Sequence, residues 1–423
     1  MSLLRNGSRA FRHRNYRLFF TGQLVSLVGT WMQTVAQAWL VLQLTGDPFL
    51  LGLVAAMQFL PVMVLGLFGG LIADALPKRR TLIVTQAVQM VLAFVLFGLT
   101  ATGVVEVWQI IVLALLLGIT NAVDMPTRQS FVVEMVGRGD VANAVALNSA
   151  VFNMARIVGP AVAGLVIGAF DISIAFLING LSFLAVIFAY ALMRDRELAS
   201  PPVLSRPRTV REVGETLAEG LRYVRNTDLV LLATVIVGLA SLFGMNFGVI
   251  IPSLAQNVLH TDASGYGFLM AASGIGSLAA ALGIAFSGRS RPSVIAVGAL
   301  VLGVAEIAAA AVHLFPLAMI AMAFVGFGAI GMAATANTTI QLAVPNELRG
   351  RVMSVYTTVF VGSTPIGGLL MGWIASRFGV EVSLALGGFV CVVLGVIAFW
   401  WLRRIPATAP RRTSVPVPPG RAS

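Results

Sequence analysis

Three ionisable side chains interrupt long apolar runs of this sequence: Asp124, Arg156 and Glu306. A charge in such surroundings is costly unless it meets a partner, a polar cavity or a ligand, so each is a candidate for chemistry. Arg156 stands deep in the run from 144 to 169, roughly 18 Å from its start at the helical rise of ~1.5 Å per residue. It either contacts a substrate or relay, or pairs with helix-end carbonyls or with Asp124. Glu306, in Val304-Ala305-Glu306-Ile307, and Asp124 are the acids that a proton could visit. A satisfied structural acid is the other reading of Glu306.

The clearest pattern is a polar stripe. Ser26, Thr30, Gln33 and Gln37 recur at spacings of 4, 3 and 4, which places them on one face of an otherwise apolar helix. At membrane depth such a face must look at protein or water, so it either lines a substrate cavity or bonds neighbouring helices. Trp31, Phe59 and Met245 would add aromatic and soft apolar contacts for a bulky, mostly apolar ligand. Gly159-Pro160 and Gly164, just beyond Arg156, bring small residues and a missing backbone donor together, which suits close packing and a bend. Asp74 closes an apolar run after Gly69-Gly70 and precedes Lys78, Arg79 and Arg80. An acid there can sit against the positive end of a neighbouring helix. One Cys and three scattered His argue against disulfides and a metal centre, and no Gly run ends in Gly-Lys-Ser/Thr, so neither a metal, a cofactor nor an ATP engine is expected.

The elements that must position these residues are membrane helices. Apolar residues make up 58% of the chain and charged ones 11%, less than half the share usual in a soluble domain. Twelve segments reach bilayer length: 18–43, 50–73, 81–102, 107–124, 144–169, 172–193, 229–251, 264–287, 292–312, 315–337, 351–375 and 382–402. With an even number, 26 of the 28 basic residues fall on one side, which the positive-inside rule makes cytoplasmic together with both termini. The net charge of +11 is thus an orientation signal, and no nucleic-acid partner is expected. The first run lacks a small-residue cleavage site and reads as a retained helix.

Between the sixth and seventh segments, Pro201, Pro202 and Pro207 mark a linker, while Val213, Leu217, Leu221 and Val224 form the apolar side of an amphipathic helix on the membrane surface or across the helix base. The expected division is therefore 1–193, a six-helix bundle with a basic arm; 194–227, a cytoplasmic linker; 228–403, a second six-helix bundle; and 404–423, a disordered cytoplasmic tail. Internal similarity supports a duplication. Asp47 with Gly52 recurs as Asp262 with Gly267, and Gly70 through Asp74 as Gly283 through Ser287, at offsets of 215 and 213.

Over essentially its whole length the chain resembles the major facilitator superfamily. Gly70-Leu-Ile-Ala-Asp74-Ala-Leu-Pro-Lys78-Arg79-Arg80 is similar to that family's loop signature, departing from it at Ala75 and Pro77. Pro126-Thr-Arg128-Gln-Ser-Phe131, Ala155-Arg156-Ile-Val-Gly159-Pro160 and Arg349-Gly350-Arg351-Val-Met-Ser354 resemble the drug and siderophore exporters related to the enterobactin exporter. The resemblance implies an all-α fold of two six-helix bundles related by a pseudo-two-fold axis. It implies a latch in which Gly70 and Asp74 meet the start of helix 11 while Lys78 and Arg79 meet Asp124. It also implies a cavity lined by helices 1, 4, 7 and 10, which adds Asn121, Ser241, Asn246, Thr335 and Asn337 to the stripe.

The activity so implied is alternating-access export of lipophilic, drug-like or siderophore-like molecules in exchange for protons. The working unit would be a monomer in the bilayer of a bacterial plasma membrane, and no enzyme. Uptake or facilitated transport of a nutrient or lipid is the alternative within transport. A non-transporting membrane receptor or assembly protein is the alternative outside it.

Overall fold

A backbone that crosses a bilayer has no water to bond to, and this chain satisfies it with helices. The computed structural model describes residues 8–199, 210–287 and 291–404, with the side chains of 66–75, 210–213 and 216 left out. Its helices are α1 Arg14–Thr45, α2 Pro48–Ala75, α3 Lys78–Ala101, α4 Val107–Ala169, α5 Ile172–Ala191, α6 Val210–Asn226, α7 Asp228–Phe243, α8 Phe247–Asn257, α9 Ala263–Ser287, α10 Ser293–Ala311, α11 Phe315–Ala343, α12 Asn346–Phe378 and α13 Val380–Arg404. Eleven stretches are long and apolar enough to cross a membrane, and α4, at 63 residues, is long enough to hold two spans. Among the described residues there is no strand.

Two expected boundaries differ. Hydropathy ends the fourth span at 124 and starts the fifth at 144, but helical backbone fills nearly all of that interval. The turn is a single residue, Gly137, at φ 68° and ψ 169°. That conformation costs a residue with a Cβ far more than glycine, so the helix kinks at this position. The seventh span, expected unbroken over 229–251, is interrupted at Gly244-Met245-Asn246 between α7 and α8.

The first five helices pack on one another, α1 against α4 and α5 and α3 against α5, while α10 packs against α11 and α13. The two sets meet where α2 lies along α12 and α4 along α9. Small residues permit this approach: a Cβ on Gly52 would lie 2.2 Å from the Gly368 carbonyl oxygen. Ser264 Oγ donates to the Gly164 carbonyl at 3.0 Å at the corresponding end of α4 and α9. The amphipathic α6 lies at the base of α12. Glu219 pairs with Arg351, and Tyr223 Oη donates to the Ala343 carbonyl at 3.4 Å.

Candidate functional site

The polar stripe of α1 faces a cavity. Thr30, Gln33 and Gln37 line a space of about 140 Å³ with Gln58 and Phe59 of α2, Gln89 of α3, Asn121 of α4 and Asn179 and Phe183 of α5, and Gly248 of α8 closes it. Its polar groups are amides and hydroxyls, and four of the amides are joined in two pairs. Asn179 Nδ2 donates to Gln33 Oε1 at 2.6 Å, and Gln89 Nε2 donates to Asn121 Oδ1 at 3.2 Å. Such walls exchange hydrogen bonds with carbonyl and hydroxyl groups while Phe59 and Phe183 take apolar surface. Gln58, Gln89 and Asn179 were not among the residues expected from sequence; Gln58 and Asn179 are each the lone amide of an apolar span, and Gln89 follows Gln86 by three residues on one face of α3, which are the signals that mark them.

Other expected cavity residues lie elsewhere. Ser26 is buried, and its carbonyl accepts from Thr30 Oγ1 at 2.9 Å. Ser241 Oγ donates to the Phe360 carbonyl at 3.1 Å, tying α7 to α12. Asn246 Nδ2 donates to the Leu242 carbonyl at 2.8 Å across the break in the seventh span. Thr335 is buried in α11, and Asn337 Oδ1 accepts from Gln341 Nε2 at 2.5 Å. None of these five residues lines the amide cavity.

Asp124 is fully buried at the centre of a second network. Its Oδ1 accepts from Thr85 Oγ1 at 2.7 Å and Gln86 Nε2 at 3.0 Å. Arg128 Nη2 lies 2.9 Å from its Oδ2, an ion pair without the alignment of a hydrogen bond. Arg128 Nη1 donates to Gln23 Oε1 at 2.9 Å. The latch expected between Lys78 or Arg79 and Asp124 is therefore not formed. Lys78 pairs instead with Glu134, in the stretch of α4 that hydropathy assigns to a loop. Arg79 donates to the Tyr190 and Ala191 carbonyls at 2.7 and 2.8 Å and to Asp195 Oδ1 at 2.6 Å, capping the end of α5. Gly70 and Asp74 belong to α2, but their side-chain surroundings lie outside the described residues.

Arg156 is partly exposed, and its guanidinium carbon lies 6.0 Å from the centroid of the Trp31 ring. Among the described residues no carboxylate pairs with it, so the pairing with Asp124 weighed from sequence is absent. Gly159 and Pro160 are buried in a stretch of α4 that keeps helical dihedrals, and a Cβ on Gly159 would lie 2.4 Å from Trp31 Cβ. Gly164 abuts Ser264 of α9. The three residues act here in helix packing.

Glu306 is 2% exposed, and its Oε2 has no hydrogen-bond partner among the described residues. It sits between α10, α13 and the end of α7: a Cβ on Gly244 would lie 3.2 Å from Oε2 and one on Gly388 3.0 Å from Glu306 Cβ. Outside the spans, the Arg-rich arm docks through Asp140, which accepts from His13 Nε2 at 3.0 Å and Arg12 Nη2 at 3.2 Å. The His13 bond first, then Arg12, holds the Asp140 carboxyl below its ordinary value.

The profile of a family described as transmembrane secretion effector matches residues 7–417. The multidrug efflux pump Tap of Mycolicibacterium fortuitum is 30% identical over 90% of this chain and 94% of its own. The staphyloferrin A transporter of Staphylococcus aureus is 24% identical over 92% and 96%. Among solved structures, a peptide transporter of the POT family in complex with alafosfalin superposes with a TM-score of 0.74 at 13% identity, covering 92% of this chain and 94% of that one. A bacterial homologue of the human lysosomal transporter Spinster, inward-facing and occupied, gives 0.73 at 12%, covering 92% and 96%.

Proposed function

The chain belongs to the transmembrane secretion effector family of the major facilitator superfamily, in its drug and siderophore exporter branch, and from that premise we propose that it exports lipophilic small molecules by alternating access in exchange for protons. It is a multi-pass membrane transporter of small molecules, not an enzyme. In our reading it works as a monomer in a bacterial plasma membrane, with two six-helix bundles related by a pseudo-two-fold axis and both termini in the cytoplasm, where the basic residues collect.

The observation that carries the reading is the cavity of linked amides and aromatic rings at membrane depth, because polar groups there need either a partner or a passenger. The close contacts of α2 with α12 and of α4 with α9 suit a rocking motion that opens one side at a time. The latch reading now rests on Lys78 with Glu134, together with Gly70 and Asp74.

Of the two candidate proton carriers we favour Glu306. Asp124 is committed to Thr85, Gln86 and Arg128, whereas the Glu306 carboxyl has an oxygen without a partner. Glu306 also faces Gly244 at the end of α7, and four residues on Gly248 lines the cavity, so the break between them links the two sites. Inverted vesicles holding an imposed pH gradient test this against a panel of lipophilic cations, macrolide-like compounds and siderophores. The expected result is substrate-dependent collapse of the gradient, lost in Glu306→Gln and retained in part in Asp124→Asn. Saturable substrate flux with no proton movement would refute the coupling.

A further inference from the structure

We propose that Arg156, Trp31 and Phe152 form an anion-selecting subsite, which takes molecules carrying a single negative group beside a flat apolar body. The inference rests on the export reading and names the substrate class. Asp124 and Arg128 cancel each other in an ion pair. Glu306 belongs to α10, which packs on α11 and α13, and it faces Gly244 and Gly388 rather than α4. Arg156 is left as a cation with no carboxylate partner among the described residues, at a depth where an uncompensated charge is costly and marks a function by default.

The surroundings of Arg156 are built for a ligand with two chemistries. Its guanidinium sits over the Trp31 ring at 6.0 Å, a contact that eases the charge without neutralising it. Trp31 meets Phe152 with centroids 5.8 Å apart and ring planes at 69°. Phe152 in turn lines a cavity of about 270 Å³ with Phe20, Arg128, Gln129 and Asn148. An aromatic wall thus runs from an unpaired cation to a pocket with apolar and hydrogen-bonding sides. Gly159 fixes that wall, because Trp31 Cβ occupies the space where a Cβ of residue 159 would stand. The amide cavity has no charged lining residue, so the neutral and anionic parts of a substrate would be read by different surfaces. The chemistry is shared by a transported carboxylate and by an anionic lipid.

Equilibrium binding in nanodiscs of a zwitterionic lipid tests the subsite with three probes on one ring: 1-naphthylacetate, 1-naphthylacetamide and a 1-naphthylmethyl trimethylammonium. The intact protein is expected to bind the acetate at least about tenfold more tightly than the other two. Arg156→Met should remove the difference while still binding the amide, which also reports that the variant is folded, and Arg156→Lys should keep the preference for the anion. Should Arg156→Met fail to fold, the preference of the intact protein and its survival in Arg156→Lys decide the matter. Equal binding of all three probes by the intact protein, or a preference retained in Arg156→Met, overturns the proposal. Repeating the measurement with phosphatidylglycerol separates the sources: competition by that lipid, absent in Arg156→Met, assigns the site to a lipid headgroup as well, and no competition assigns it to the passenger alone. Failure of the export reading is distinguishable, because vesicles that move none of the probes would refute export while leaving selective binding intact.

Discussion

Arg128→Met should destabilise the protein more than the loss of a partly exposed arginine would suggest, because it strands Asp124. The Asp124 carboxylate has no solvent exposure, and without Arg128 it keeps only Thr85 and Gln86 as donors. Breaking a buried pair by removing one partner costs about 3 to 5 kcal/mol, since the remaining charge stays buried. The Arg128 side chain is 25% exposed, so in the converse variant, Asp124→Asn, the guanidinium can turn towards water. That variant also keeps an acceptor for Thr85 and Gln86, and the expected cost is about 1 to 3 kcal/mol, the range for one disrupted buried polar group. In the double variant both charges are gone, and its cost should fall short of the sum by about 0.5 to 3 kcal/mol, the coupling usual for residues in one network. Cys391 supplies the assay: it is the only cysteine and is fully buried, so a thiol-reactive dye reports on unfolding as the protein is heated in mild detergent. A cost for Arg128→Met within about 0.5 kcal/mol of zero, the scale of an ordinary surface change, would refute the reasoning. So would strict additivity of the two substitutions.

Three further outcomes follow from single contacts. Gly52→Leu puts a side chain where a Cβ would already lie 2.2 Å from the Gly368 carbonyl oxygen, so α2 and α12 must part; spin labels at Asp47 and Glu381, in a Cys391→Ser background, should move apart, and an unchanged distance would contradict the packing. The Asp140 carboxyl is held low by His13 and then Arg12, so its contribution is present above the unfolded carboxylate range and is lost as pH falls through the lower folded value. The stability gap between the parent and Asp140→Asn should therefore close on acidification, and a gap that widens would reverse the sign. Gly220→Leu should lift α6 from α12, since a Cβ there would lie 2.6 Å from the Arg351 carbonyl oxygen; limited proteolysis of the 194–227 segment should accelerate, whereas Glu219→Gln, which loses only a half-exposed ion pair worth about 0 to 1 kcal/mol, should leave it nearly unchanged.

The spans were legible because bilayer thickness imposes a length on apolar runs, and the amphipathic α6 because its apolar residues recur at helical spacing. Helix ends were less so. Hydropathy reports where the hydrocarbon stops, but a helix goes on until its backbone is interrupted, and between 124 and 136 nothing interrupts α4 except Pro126, which it accommodates. This difference chose the wrong acid for Lys78. An acid at the end of the fourth apolar run is Asp124; an acid near the end of the fourth helix is Glu134, ten residues on, or roughly 15 Å at ~1.5 Å per residue. The break in the seventh span left a fainter trace, since Gly244 and Asn246 sit inside an apolar run that continues to Ile251.

The site was legible where one helix carries several polar residues and illegible where several helices carry one each. Thr30, Gln33 and Gln37 reach the cavity together because periodicity along a single element fixes their common face. Gln58 and Asn179 have no such companions, and a lone amide in an apolar helix does not reveal its azimuth until the neighbour is known; Gln89 shares a face of α3 with Gln86, which turns to Asp124 rather than to the cavity. Asn179 shows why: its bond to Gln33 at 2.6 Å joins α5 to α1, a pairing with 146 residues between the partners. The same limit separates Arg156 from Asp124. Both were read as membrane charges in search of a partner, and each could have served the other. Asp124 is answered within its own helix, one turn away, by an arginine that hydropathy places in a loop. With that local pair formed, Arg156 has no carboxylate partner among the described residues, and the anion-selecting subsite proposed above is the role that this charge would serve.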